Sequence, residues 1–314
     1  MTAVTGYSLV LPGAPAPADL FSAGYGRETD REPVDPAARL GRKGLRYKDR
    51  ATQLALCAAQ DALADAGLLA GGELTAAASD VAVVVSSNLG NVDTVCRVAG
   101  TIAAESARAV SAMDTANASS NIVASEVAIR FGLRGPNVML CNGATSGLDA
   151  IGWGVRMLRA GRARHVLVVG VEPANDVARR LARADRVVDG GAALVLEMPE
   201  TASARSARAK LHVRRYLRTG SVPECLDRLG ATAGQASELV LGPEGPDGAG
   251  EAAHDLSRTL GRCSGALGVL QAVAAIGWFS TITDASAPVL GVCGGGTDDA
   301  SAGVVLVRPA EASR

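Results

Sequence analysis

Acyl, phosphoryl or metal chemistry needs nucleophiles, bases or clustered ligands, and this chain offers few. Its three histidines, His165, His212 and His254, are far apart, and its six cysteines (Cys57, Cys96, Cys141, Cys225, Cys263 and Cys293) form no CxxC pair. Such scattering argues against a zinc site or a disulfide framework and for reduced thiols packed in apolar runs. One stretch does have a catalytic layout. GPNVMLCNGATSGLDAIGWG, residues 135–154, reads as a strand, a tight turn and a helix, and a helix N-terminus lowers the pKa of a thiol placed on it. At the turn, however, stands Ala144. Cys141 falls inside the expected strand, where a packed thiol is the simpler reading. Thr145 and Ser146 read as hydroxyls that satisfy free amides at the start of the helix.

The elements that would hold this turn follow from periodicity. Buried strands are expected at 80–87, 137–142, 165–171 and 192–198, with helices at 51–69, 121–132 and 147–161 between them. This alternation implies an α/β fold with a largely parallel sheet covered on both faces. Further on, strands are expected at 209–217, 237–242, 289–295 and 303–309, and SGALGVLQAVAAIGWF (264–279) is a helix too apolar for a surface position. The second half thus repeats the first with less material, as after an internal duplication. The boundaries expected are 1–200 for the first half, a small polar linker at 201–208, and 209–314 for the second, with a Pro/Gly-rich loop at 243–250.

Composition bounds the function. A chain of 314 residues that is 48% hydrophobic can bury a large core. A net charge of −1 gives no electrostatic reason to expect nucleic acid or an anionic membrane as partner. The N-terminal stretch lacks the basic start and long apolar core of a signal peptide, and no apolar run approaches the roughly 20 residues of a bilayer span. A soluble cytoplasmic protein is expected, with no cofactor or metal: GGGTDD and VVGVEPAND lack the strand–GxGxxG–helix context of a nucleotide site.

The run FGLRGPNVMLCNGATSGLDAIGWGVRMLRAG resembles the nucleophile region of β-ketoacyl synthases of the thiolase fold. ALCAAQDALADAGL (55–68), NIVASEVAIRFG (121–132), GGAALVLE (190–197) and GGTDDASAGVVLV (295–307) resemble further segments of that family, in the same order. The resemblance implies two similar α/β halves in a layered αβαβα arrangement, here shortened relative to the family. It also implies a mechanism: a cysteine takes an acyl chain from a carrier protein, and two histidines assist decarboxylation and stabilise the enolate and oxyanion. Carried over position by position, the cysteine falls on Ala144, the histidines on Leu241 and Arg262, and the gating phenylalanine of the closing loop on Gly294. The family's lysine is replaced by Ser257 and Arg258. Moving the register so that Cys141 became the nucleophile would break the match along the helix.

The family contains a matching class without a nucleophile, the chain-length factors of type II polyketide synthases. They pair with an active ketosynthase, and their side chains close a tunnel at the shared interface. That class often carries glutamine where Ala144 stands, so a role needing an amide there is not expected. The resemblance implies a heterodimer with an active ketosynthase, and contact with acyl carrier protein mainly through that partner. It implies tunnel or interface positions at Met113, Ala116, Asn117, Ala118, Ser119, Ser120 and Val123. These are mostly small, which suits a roomy tunnel and a linear polyene-type chain, closed deeper near Met113 or Trp153; the other reading of the segment is an Asn/Ser-rich loop and cap. Two further functions stay open: a thiolase-fold acyltransferase or decarboxylase using Cys141 or Ser146, and a homodimeric binding scaffold.

Overall fold

The computed structural model describes residues 1–22, 25, 31–233, 237, 239–245, 253–282, 287–295 and 298–310. Among the described residues nine strands make one sheet: β1 (Thr2–Val10), β2 (Val81–Ser86), β3 (Asn137–Leu140), β4 (His165–Glu172), β5 (Gly190–Glu197), β6 (Leu211–Thr219), β7 (Leu239–Leu241), β8 (Val289–Gly295) and β9 (Asp298–Val307). Their order is β3-β2-β4-β5-β1-β6-β9-β8-β7. Most are near-continuous apolar runs, because they are covered on both faces; β2, β4 and β5 are buried at every position.

The pairings repeat about the centre of this sheet. β2 pairs parallel with β4, β4 antiparallel with β5, and β5 antiparallel with β1. In the second half β7 pairs parallel with β8, β8 antiparallel with β9, and β9 antiparallel with β6. The halves meet where β1 and β6 pair over only three residues, Thr2–Val4 against Leu211–Val213. β3, at the far edge, has no counterpart among the described strands. This is the internal repeat expected of the thiolase fold.

Three apolar cores separate the layers. Helices α1 (Arg50–Asp65) and α3 (Ile122–Phe131) cover the outer face of the first half-sheet. α5 (Val222–Ala233) packs on the outer face of the second, against β8 and β9. Between the half-sheets lie α4 (Ser146–Arg159) and α6 (Leu267–Thr281). α6 is apolar enough by length and composition to cross a bilayer, yet the span Ser264–Thr281 is 72% buried inside the protein, as a central helix must be. The layers are therefore α, β, α, β, α.

Some expectations need correction. β1, central to the sheet, was not anticipated, nor was α2 (Val92–Ala104). The polar stretch 201–208 begins inside a short helix, Pro199–Ala204, that leads toward β6. Of the loop expected at 243–250, residues 246–250 lie outside the described residues, as do Gly296 and Thr297 of the closing turn. His254, of which the sequence shows only its distance from the other histidines, lies at the edge of the sheet. It bridges Leu241 of β7, and its half-buried ring lies 5.0 Å from that of Phe21.

Candidate functional site

The strand–turn–helix layout forms as its sequence dictates. β3 ends at Leu140, a single tight turn covers Gly143–Thr145, and α4 begins at Ser146. Gly143 takes a positive φ of 72°, a conformation that costs glycine nothing. Ala144 sits half-buried in the turn, which packs against β8, β9 and the turn Ser264–Ala266 ahead of α6. The geometry of a nucleophile elbow is present, and a methyl group occupies its apex.

Neighbouring hydroxyls are committed elsewhere. Ser146 is fully buried; its Oγ accepts from the Asn142 amide at 2.6 Å and lies 2.9 Å from both Asn88 Oδ1 and the Gly143 carbonyl. Thr145, also fully buried, donates to Asp149 Oδ2 at 2.8 Å and so does not cap amides as expected. Asp149 further accepts from Asn142 Nδ2 (3.0 Å) and the Tyr216 hydroxyl (2.5 Å), with Arg218 Nη1 at 3.5 Å. Burial first, and then Asp149, push the Tyr216 phenol far up.

Cys141 corrects one expectation. It lies just beyond β3 and is exposed, where a packed strand thiol was expected. Its Sγ is 3.8 Å from the Asn88 carbonyl, and desolvation, with the nearby Glu172 carboxylate, raises its pKa. That is the reverse of what activates a thiol.

The other positions implied by the resemblance lie around the same corner. Leu241 is wholly buried in β7, beside Gly291 of β8. Its carbonyl accepts from Gln271 Nε2 at 3.1 Å, and the same amide reaches the Gly242 and Val292 carbonyls. Arg262 is held by backbone bonds to Arg186 and Val188, and its Nε lies 3.2 Å from Glu244 Oε2. Gly294 has φ +124°, and a Cβ there would come 2.5 Å from the Ala300 carbonyl oxygen. No phenylalanine fits.

Two residues not anticipated tie this corner together. Asn88 Nδ2 donates to the Gly143 carbonyl (2.8 Å) and to Ser264 Oγ (2.9 Å), joining the elbow to the start of α6. Glu172, fully buried at the end of β4, accepts from Ser87 Oγ and from the amides of Asn88, Leu89 and Gly265 at 2.7–2.9 Å. Burial lifts its pKa to about 7, against the downward pull of those four donors. A folded-state pKa above the ordinary 4.5 means that the folded state holds this proton longer than the unfolded chain. Stability should therefore fall as pH rises from about 4.5 to about 7, by as much as about 3 kcal/mol, and then level off. Urea titrations across that window should show the decline in the native chain and lose it in Glu172→Gln.

The segment expected to line a tunnel splits in two. Met113, Ala116, Ser119 and Ser120 are exposed and Ala118 half-buried. Asn117 and Val123 face inward instead: Asn117 Nδ2 donates to the Tyr47 carbonyl at 2.5 Å, and Val123 belongs to the core beneath α1. Near this segment α2 exposes Val95 and Ile102. Trp153 is 42% exposed on α4, beside Arg156.

The layered double repeat and the elbow at the head of α4 define a thiolase-fold protein. Residues 23–189 match the N-terminal domain of β-ketoacyl synthases, just over half of the chain, so it belongs to that family. It is 30% identical over 195 residues to the 3-oxoacyl-[acyl-carrier-protein] synthase 2 of Vibrio harveyi, covering 54% of this chain and 46% of that protein. A β-ketoacyl synthase named for granaticin polyketide, from Streptomyces violaceoruber, is 36% identical over 129 residues, 40% of this chain and 30% of that one. The matches thus span less than half of these relatives' length. Among solved structures, the ishigamide ketosynthase/chain length factor superposes with a TM-score of 0.79 at 23% identity, over 98% of this chain and 99% of that one. The type II polyketide synthase complex AntDE:AntF, an acyl-carrier protein with its ketosynthase, gives 0.78 at 14% identity over the same shares.

Proposed function

We propose that this chain is the non-catalytic member of a ketosynthase pair, a chain-length factor that lines a tunnel for a growing polyketide chain. The observation that carries this reading is Ala144 at the apex of an otherwise intact elbow. The positions assigned to the two histidines support it, since one holds a buried leucine and the other an arginine beside Glu244. An acyltransferase or decarboxylase using Ser146 or Cys141 is disfavoured: the first is buried and engaged, and the second has a raised pKa.

The partner reading rests on a surface. β3 is an edge strand with exposed or half-buried residues over 137–139, and unpaired strand edges are templates for another chain. α2 and Met113 also expose apolar groups. The solved neighbours include a ketosynthase/chain length factor and a ketosynthase with an acyl-carrier protein, which supports an active ketosynthase as partner and a carrier-bound chain as cargo. Arg42, Lys43 and Arg46 are exposed on one loop, a cationic surface suited to the phosphate of a carrier's prosthetic arm. Such a complex would work in the cytoplasm.

Of the expected tunnel positions, Met113, Ala116, Ser119 and Ser120 would line the shared tunnel, since their side chains leave the chain's own core. Small groups there suit a long linear chain. The test is co-expression with an active ketosynthase and mass analysis of the purified complex. A one-to-one heterodimer is expected, and Ser119→Phe within it should shorten the product by one or more extension units. A stable homodimer that ignores the ketosynthase would overturn the reading.

A further inference from the structure

The corner that would hold the second histidine contains a receptor for a carboxylate, and the receptor is full. Glu244 sits in the segment after β7 with a side chain only 10% exposed. Its Oε1 accepts from the backbone amides of Cys263 and Ser264, the latter at 2.7 Å, and its Oε2 lies 3.2 Å from Arg262 Nε. Three donors from one short segment, a guanidinium among them, converge on a single carboxylate. Charge-assisted bonds of this kind, with amides at the head of a long helix behind them, are how proteins hold anions.

The backbone that carries the donors is fixed independently of Glu244. Arg262 is pinned by backbone bonds in both directions, its amide to the Arg186 carbonyl and its carbonyl from the Val188 amide, each at 2.9 Å. The next residues are anchored too: Ser264 Oγ accepts from Asn88 Nδ2, and the Gly265 amide donates to Glu172. A receptor that does not depend on its ligand for its shape keeps that shape when the ligand is removed. Glu244 itself is sequence-local to none of its partners, being 19 and 20 residues from the amides it binds.

We propose that this corner is a carboxylate-binding site whose resident ligand is the chain's own Glu244. The site takes small carboxylates of the acetate or malonate class once that side chain is removed. While Glu244 stays in place, its carboxylate occupies these donors and no external carboxylate can take them. The binding claim does not depend on the chain-length reading, because it concerns donors and an acceptor within one chain.

The test is chemical rescue of Glu244→Ala, followed by thermal unfolding in sodium acetate against sodium chloride at matched ionic strength. In chloride the variant should melt several degrees below the native chain. In acetate its Tm should climb with the logarithm of concentration, as for any ligand that binds only the folded state. The native chain should melt alike in both salts. Adding Arg262→Ala should abolish the acetate response. Equal melting of Glu244→Ala in acetate and chloride would overturn the proposal, as would a response that survives loss of Arg262. If the variant does not accumulate folded, it is unfolded in urea and refolded in each salt. Recovery confined to acetate supports the site, and equal or absent recovery in both overturns it.

Discussion

Arg205→Ala should destabilise the chain by about 3–5 kcal/mol, the cost of leaving a buried charge without its partner. Glu197, at the end of β5, is fully buried. Arg205 makes an ion pair with it through Nη2 and donates through Nε to Oε2 at 3.0 Å; the same guanidinium reaches the Ala66 carbonyl at 2.6 Å. Thr5 Oγ1 donates to Glu197 Oε1 at 2.7 Å, and His165 Nδ1 lies 3.4 Å away. The carboxylate thus joins β1, β4 and β5 to the segment between the halves. Burial alone would raise its pKa, but His165, Arg205 and Thr5 outweigh that and lower it to about 2. A depressed carboxyl stabilises the fold above its ordinary 4.5, and the benefit is lost as pH falls toward about 2. Urea unfolding should show a lower midpoint with little change in slope. The double variant Glu197→Gln/Arg205→Ala should recover part of the loss, since the orphaned charge is then gone. A cost below about 1 kcal/mol for Arg205→Ala would mean that the pair behaves as a surface ion pair.

This network also shows why β1 was hidden in the sequence. Beside its tyrosine, TAVTGYSLV carries three aliphatic hydroxyls and a glycine, a composition closer to a loop than to the run VAVVVS of β2. Those hydroxyls are nonetheless inside. Thr5 serves Glu197, and Ser8 Oγ donates to the Ala58 carbonyl of α1 at 2.8 Å. A buried polar group with a partner costs little, but the partner lies far away in the chain and no periodicity shows it. The strands that read most plainly, β2, β4, β5 and β8, have apolar interiors, and the buried polar groups of the first three, Ser86, His165, Glu172 and Glu197, stand only at strand ends.

The candidate site divides along the same line. Ala144 could be placed because its neighbours in sequence, strand and helix, are also its neighbours in space. Asn88, Glu172, Asp149 and Glu244 were not anticipated. Two of them reach the site across long separations: Asn88 meets Gly143 and Ser264 at 55 and 176 residues, and Glu172 meets Gly265 at 93. A glutamate closing the apolar strand HVLVVGVE was a visible signal, because a charge ending a buried strand needs several donors. The inward turn of Asn117 could not be seen, since a helix only six residues long, Ala112–Asn117, sets which side chains leave the core; Val123 stands instead on the buried face of α3.

The larger effect should come from the crossing of α4 and α6, on which both the elbow and the Arg262 corner depend. The two helices touch at Gly147 and Gly268. A Cβ on Gly268 would lie 2.2 Å from the Leu148 amide nitrogen, and one on Gly147 would lie 2.5 Å from the Gly268 nitrogen. Both obstacles are backbone, so no rotamer relieves them. The helices cannot part either, because each is wedged between the half-sheets within one apolar core. Gly268→Val should therefore exceed the usual 1–3 kcal/mol of an overpacked site and leave a chain without a cooperative unfolding transition. Gly230→Ala, in α5 with nothing within 4 Å of the added carbon, is the matched control. It should be neutral or stabilising by up to about 1 kcal/mol, the helix preference of alanine over glycine. A Gly268→Val chain that melts like the native one would show that α4 and α6 do not meet backbone to backbone. The elbow would then have no fixed distance to the corner that holds Glu244.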